Sequence, residues 1–169
     1  MEQSENVKYW EHFFQSLQMT YYSLLAAPLF IFAIAFLRAE NGNETILKLT
    51  SEYTYYLVLF LSLGTLLGVL ILFLMTRRRY NTIAAMEELT TKMKAYKQTT
   101  LTKYITLSLL QVLIVFAYAA TYHNALLGVF TALLLYASFF RPELQTARRA
   151  LKLDKETFRK INYKTNIIN

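Results

Sequence analysis

The chain contains no cysteine. That absence excludes disulfides, thiolate nucleophiles and Cys-based zinc or iron–sulfur centres together. Only two histidines occur, His12 and His123, which argues against a histidine-rich metal centre. Charge is sparse as well. Charged residues make up 17% of the chain, against about 25% in an ordinary soluble domain. They are also clustered, so four long runs carry no Asp, Glu, Lys, Arg or His. Pumps and ion-coupled carriers usually place an ionisable group inside such a run, and its lack here argues against both. With four glycines and two prolines, the chain has no Pro/Gly/Ser linker and no low-complexity tract.

What is abundant is apolar and aromatic. Hydrophobic residues reach 55%, with 13 Tyr and 12 Phe, a composition that suits a bilayer and its two interfaces. Four stretches are candidates to cross a membrane, which takes about 20 mostly apolar residues. They are Leu17–Leu37, Tyr53–Met75, Tyr104–Tyr122 and Ala125–Phe140. The last has 16 residues, roughly 24 Å of helix, short of a hydrocarbon core about 30 Å thick. His123, Asn124 and a snorkelling Arg141 would extend it, or the bilayer would thin. The first run is too long for a signal peptide and lacks a basic lead-in or a small-residue cleavage site. It is expected to remain as a helix.

The remaining charge gives an orientation. Segment 76–103 holds seven basic residues against Glu87 and Glu88, and segment 141–169 holds eight against three acidic ones. The connection at His123–Asn124 has neither Lys nor Arg. Lys and Arg favour the cytoplasmic side. The expected fold is therefore an all-α, polytopic membrane protein with four transmembrane helices as two hairpins, both termini inside. The whole of 1–169 forms a single membrane domain in this reading. Arg77, Arg78 and Arg79 end the second apolar run abruptly and are expected to anchor it among anionic headgroups, with Arg148 and Arg149 in the same role. The net charge of +7 thus suits a bilayer with an anionic inner leaflet rather than nucleic acid. A specific phosphate or lipid site at the arginines is the alternative.

Between the hairpins, "NTIAAMEELTTKMKAYKQ" repeats Ile83, Met86, Thr90, Met93 and Lys97 at three and four, and Leu89, Met93 and Tyr96 extend a mixed apolar stripe. The segment predicts an amphipathic helix, lying on the inner leaflet or docking a partner. After Arg141 the tail predicts two short helices. The first starts near Pro142 and the second is capped by Asp154.

Few residues invite a chemical role. Gly64 and Gly68 have the G-x-x-x-G spacing that lets helix backbones approach closely, within the chain or against a partner or second copy. Pro28 removes a hydrogen bond inside the first run and favours a kink. Gln111 is the most polar side chain deep in the third run. It is expected to make an interhelical hydrogen bond or to touch a ligand. His12, near Trp10, reads as an interfacial anchor, and His123 as a polar turn. Asn43–Thr45 matches a glycosylation acceptor. No catalytic residue, metal ligand or cofactor site is identified. The first and third runs share a Tyr-rich entry, which hints at a duplicated two-helix unit with both copies in the same orientation. That is unlike the inverted repeats of many transporters.

One stretch carries a resemblance. "KY…SLLQ" from Lys103, the "TYHN" turn, and the exit into "RPELQTARRALKLDKETF" resemble the second half of small, uncharacterised four-span membrane proteins of the Bacteroidota. The resemblance covers about residues 103–158, and members often carry an acidic residue and a glycine where this chain has Gln111 and Val112. It implies a bacterial inner-membrane location and no particular activity.

Three roles follow as expectations. The first is a non-enzymatic accessory or scaffold component, packing through Gly64 and Gly68 and the basic inner layer. The second is a binder of a lipid-like or uncharged solute near Pro28 and Gln111. The third, an enzyme acting on lipid, lacks a placed acid, base or nucleophile.

Overall fold

In the computed structural model the chain is all-α among its described residues, which are 2–42, 44–45, 47, 50–153, 155 and 158. Side chains are described from residue 12 onward. Five helices follow in order: α1 Glu2–Glu40, α2 Ser51–Ala84, α3 Leu89–Thr121, α4 Asn124–Ser138 and α5 Leu144–Leu151. Three of them, α1 to α3, contain stretches long and apolar enough to cross a membrane. Helix lengths and composition thus mark an integral membrane protein. The fourth, α4, is a shorter apolar helix of 15 residues, roughly 22 Å long.

The chain divides into two compact units. One comprises Met1–Tyr22, Met75–Thr102 and Arg141–Asn169, and the other Ser23–Leu74 and Lys103–Phe140. Helices α1, α2 and α3 each supply residues to both.

The first unit shows what the central basic segment does. It is not a separate helix. Its first residues, through Ala84, prolong α2 past Arg77–Arg79, and Leu89 onward begins α3, which continues without a break into the third apolar run. Only a tight connection lies between them, where Ala85 N–H donates to Thr82 O and Met86 N–H to Ile83 O. The apolar stripe read from the sequence exists, but it faces this chain. Ile83, Met93 and Tyr96 are buried with Phe13, Phe14 and Leu17 of α1 and with Ala147, Leu151 and Leu153 of the tail. A helix with an apolar stripe buries it against the nearest apolar surface, and here the other helices provide one. The hydroxyls of Tyr80 and Thr100 hydrogen-bond at 2.9 Å, and the Lys97 ammonium lies 5.4 Å from the Phe13 ring centroid.

The tail is tied into the same core. Gln18 Nε2 donates to Pro142 O at 3.1 Å. Pro142 precedes the cap rather than opening the helix, because Glu143 occupies the extended N-cap position. At the other end Lys152 turns left-handed (φ 50°), and the N–H groups of Lys152 and Leu153 both donate to Arg148 O. This Schellman-type end folds Leu153 back onto the core. The second tail helix expected from Asp154, and the acceptor site at Asn43, lie for the most part outside the described residues.

The second unit is built on helical segments from α1 to α4. Ala35, Val58, Ile114, Val115, Tyr118, Leu126, Phe130 and Leu133 form its core. Phe32 stacks on Phe130 with centroids 4.3 Å apart. The turn between α3 and α4 takes two residues. Tyr122 adopts a left-handed φ of 48°, and His123 caps α4 by accepting from the Ala125 N–H through Nδ1 at 3.3 Å. That cap is the polar turn expected of His123.

Because Leu151 is fully buried in the first core, Leu151→Ala should cost about 2–5 kcal/mol. A thermal or denaturant midpoint in detergent tests this, and an unshifted midpoint would mean that α5 is not docked.

Candidate ligand cavity and the residues around it

In the second unit, α2 and α4 flank an open pocket of about 420 Å³, within the usual range for small-molecule sites, about 300–1,000 Å³, with Leu63, Leu66 and Ala132 exposed along its rim. Its walls are apolar: Leu63, Leu66 and Val69 from α2, and Val129, Ala132 and Leu133 from α4. Three hydroxyl-bearing residues complete the lining, Ser62, Thr65 and Tyr136. No carboxylate, amine, guanidinium or imidazole lines it.

Two of these hydroxyls differ from the rest. Thr65 is only 4% exposed, and neither Thr65 Oγ1 nor the Tyr136 hydroxyl has a hydrogen-bond partner among the described residues. A threonine inside a helix ordinarily satisfies its hydroxyl on the carbonyl four residues back. Six others here do so: Thr20, Thr54, Thr82, Thr102, Thr121 and Thr131 donate to Ser16, Thr50, Arg78, Gln98, Ala117 and Leu127 at 2.9–3.3 Å. Thr65 does not.

Tyr136 is held from the end of α4. Its ring meets Phe140 edge-on, with centroids 4.7 Å apart. Phe140 is fixed in turn. Tyr104 donates its hydroxyl to Phe140 O at 2.6 Å, and the Lys103 ammonium sits 3.1 Å above the Phe140 ring centroid. Lys103 is 6% exposed, so its charge is met by an aromatic face in a dry setting, where such contacts are strongest.

The residues singled out from sequence fall as follows. Gln111 is almost completely buried (1% exposed), and its Nε2 has no partner among the described residues, yet it does not line the cavity. Pro28 is buried inside α1, which runs through it as one helix, and it too lies off the cavity wall. A β-carbon built on Gly64 would meet nothing within 4 Å, and one on Gly68 would make only ordinary contact, 3.7 Å, with the Leu110 side chain. The close backbone approach that G-x-x-x-G permits is therefore not used between the described helices. Arg77, Arg78, Arg79 and Arg149 are exposed, while Arg148 is half-buried with its guanidinium 4.6 Å from the Phe158 ring centroid. His12 is exposed.

Sequence reasoning missed Thr65 and Tyr136. A signal was present: Ser62 and Thr65 are three apart and share a helix face, inside an otherwise apolar run. What the sequence does not show is which threonine forgoes its backbone acceptor. Comparison with protein-family models, with curated proteins and with solved structures finds no match for this chain.

An unpaired buried hydroxyl is a burden on the fold, so Thr65→Val should leave thermal stability unchanged or raise it by about 1 kcal/mol. Thr131→Val, which removes a 2.9 Å bond to Leu127 O, is the reference. A clear loss of stability in Thr65→Val alone would show that its hydroxyl is bonded within the fold.

Proposed function

We propose that this chain is a non-enzymatic, four-span protein of a bacterial inner membrane, with both termini cytoplasmic. It works by holding an uncharged, lipid-like molecule between α2 and α4. The observation that supports this most is the pocket between α2 and α4, whose lining is apolar and carries no charged side chain. Such a lining selects for low charge, because a buried ion without a counter-ion is heavily penalised. Its Ser62, Thr65 and Tyr136 have no carboxylate, imidazole or amine beside them in the lining to activate a hydroxyl. The orientation rests on the basic residues of 76–103 and 141–169.

Native mass spectrometry of the protein purified in gentle detergent tests the binding role. The wild-type chain should carry a neutral lipid-like adduct. Ala132→Phe, which fills the cavity from one wall, should lose it. Identical adducts on both proteins would dismiss the cavity as the site. Orientation is checked separately. A fluorescent protein fused to the C-terminus should fluoresce and a periplasmic phosphatase fused there should be inactive, and the opposite pair of results would invert the topology.

A second reading, an accessory or scaffold component, is favoured by one further observation. The position of a Gly64 β-carbon opens onto free space, and α2 exposes Leu59, Phe60, Leu63, Leu66 and Leu67 around it. A partner helix or a second copy would use that gap for close approach. Gly64→Ile should keep stability within about 0.5 kcal/mol, as at other exposed positions, and abolish any self-association seen by cross-linking in membranes. Cross-linking that persists in Gly64→Ile would leave the face to lipid.

A further inference from the structure

We infer that the α3–α4 hairpin thins the bilayer beside it and takes short-chained phospholipids on its exposed face. This rests on the four-span reading of the chain and names the kind of lipid that covers one side of it.

The hairpin carries its own measure of thickness, and the measure can be taken twice. At one end α3 meets the close of α4. The Lys103 ammonium lies 3.1 Å from the Phe140 ring centroid, and Tyr104 donates its hydroxyl to Phe140 O at 2.6 Å. At the other end only Tyr122 and His123 separate the two helices. Along α3, Tyr104 to Thr121 is a rise of 17 residues (121 − 104), roughly 26 Å. Along α4, Asn124 to Phe140 is a rise of 16 residues (140 − 124), roughly 24 Å. The two lengths agree because the helices share both ends. Each falls short of a hydrocarbon core about 30 Å thick.

A span that is too short gains reach from flanking side chains that snorkel, or it thins the bilayer, or it joins a neighbour. The flanking side chains here are engaged elsewhere. His123 turns its ring to its own helix, where Nδ1 accepts from the Ala125 N–H. Lys103 is buried against the Phe140 ring. Arg141 and Glu143 are exposed and face each other, Nε to Oε1 at 3.7 Å, so the chain is in the polar layer one residue past Phe140. At the opposite end the connection between α1 and α2 reaches in as far as Ala120, whose carbonyl accepts from the Leu47 N–H. Tilting the hairpin would shorten its reach further.

The mismatch belongs to one side of the chain. The apolar run of α2, Tyr53–Met75, rises 22 residues (75 − 53), roughly 33 Å, and fits an ordinary core. On the hairpin, Leu109, Leu113 and Phe116 of α3 and Leu135 and Phe139 of α4 are exposed. These side chains meet acyl chains, and short chains meet them with the least deformation.

The test uses the full chain in vesicles of phosphatidylcholine whose chains carry fourteen, eighteen or twenty-two carbons and one double bond each. Trp10→Phe removes the single native indole. Leu135→Trp or Phe60→Trp, both at exposed positions, then reports from α4 or α2. Quenching by a brominated lipid in competition with each plain lipid gives the relative affinities at that position. At Leu135→Trp the fourteen-carbon lipid should be preferred to the twenty-two-carbon one about three- to tenfold, as a mismatch of about 6 Å predicts. At Phe60→Trp it should not. Because the chain lacks cysteine, Asn124→Cys and Glu143→Cys each offer one thiol to a membrane-impermeant maleimide, and labelling from opposite sides verifies that α4 crosses. With that crossing verified, equal affinities for the three lipids at Leu135→Trp overturn the thinning and leave the four-span reading in place. An indole there that no lipid quenches also overturns it, since a second copy then covers the face. A preference of the same size at Phe60→Trp overturns the assignment to the hairpin. Labelling of both thiols from one side means that α4 does not cross, and both readings fall.

Discussion

Pairing of polar groups without water governs this structure. Inside hydrocarbon an unpaired N–H, C=O or hydroxyl costs several kcal/mol, so a spanning segment forms a helix and its side-chain hydroxyls turn to the helix backbone. The long helices follow that rule, and so do the threonines that bond one turn back along their own helices. The same constraint shapes the ends. Tyr104 takes up the carbonyl left over at Phe140, His123 caps the first turn of α4, and Gln18 reaches the carbonyl of Pro142. Against this background the exceptions stand out. Thr65, Gln111 and Tyr136 hold buried polar atoms without a partner among the described residues, and two of the three line one cavity.

Each unit has a core of its own, with different chemistry. The first gathers large apolar groups from α1, α2, α3 and the tail, with the Lys97 ammonium over the Phe13 ring. It accommodates the basic segment because Lys and Arg bury their stems and leave the charged head outward. The second is aliphatic and aromatic, with Phe32, Tyr118 and Phe130 grouped in its middle. Helices α1 to α3 take part in both, so α1 and α3 begin well before their apolar runs and α2 continues past the end of its own. The arginines at 77–79 end the oily stretch of α2, yet the helix continues to Ala84. Charge ends hydrophobicity and leaves helical propensity intact, since Arg is among the better helix formers.

How much was legible follows from the same physics. The apolar runs were readable because length and hydropathy decide them locally, and the turn expected at His123–Asn124 falls one residue earlier, at Tyr122–His123, because His123 caps α4 and Asn124 opens it. The amphipathic pattern of 81–98 was readable as a pattern but not as a separate helix. Periodicity says that a face will be buried and says nothing about what buries it. Here Phe14, Leu17, Leu151 and Leu153, distant in sequence, take the place of the leaflet surface. Gly64 and Gly68 invited packing between helices of this chain, and the observed spacing around them shows no such close approach. The cavity was not legible at all. It arises from the fit of α2 against α4, and the weight of Thr65 depends on a hydroxyl orientation that composition does not encode.

The two features absent from the start, cysteine and ionisable groups within the runs, bear on the site as well. No side chain of the lining titrates near neutral pH, but Lys103 behind Phe140 does, because burial brings the pKa of its ammonium down to about 7. The buried Lys103 at the pocket's margin stacks on the Phe140 ring, and Phe140 meets the Tyr136 ring edge-on. That charge therefore acts on the site through geometry. In its protonated form it braces the aromatic pair at the end of α4, and that bracing weakens as pH rises through about 7. A positive charge in the wall would have drawn a carboxylate or phosphate. Stacked on a ring instead, it leaves a pocket in which apolar surface and shape are the remaining means of selection.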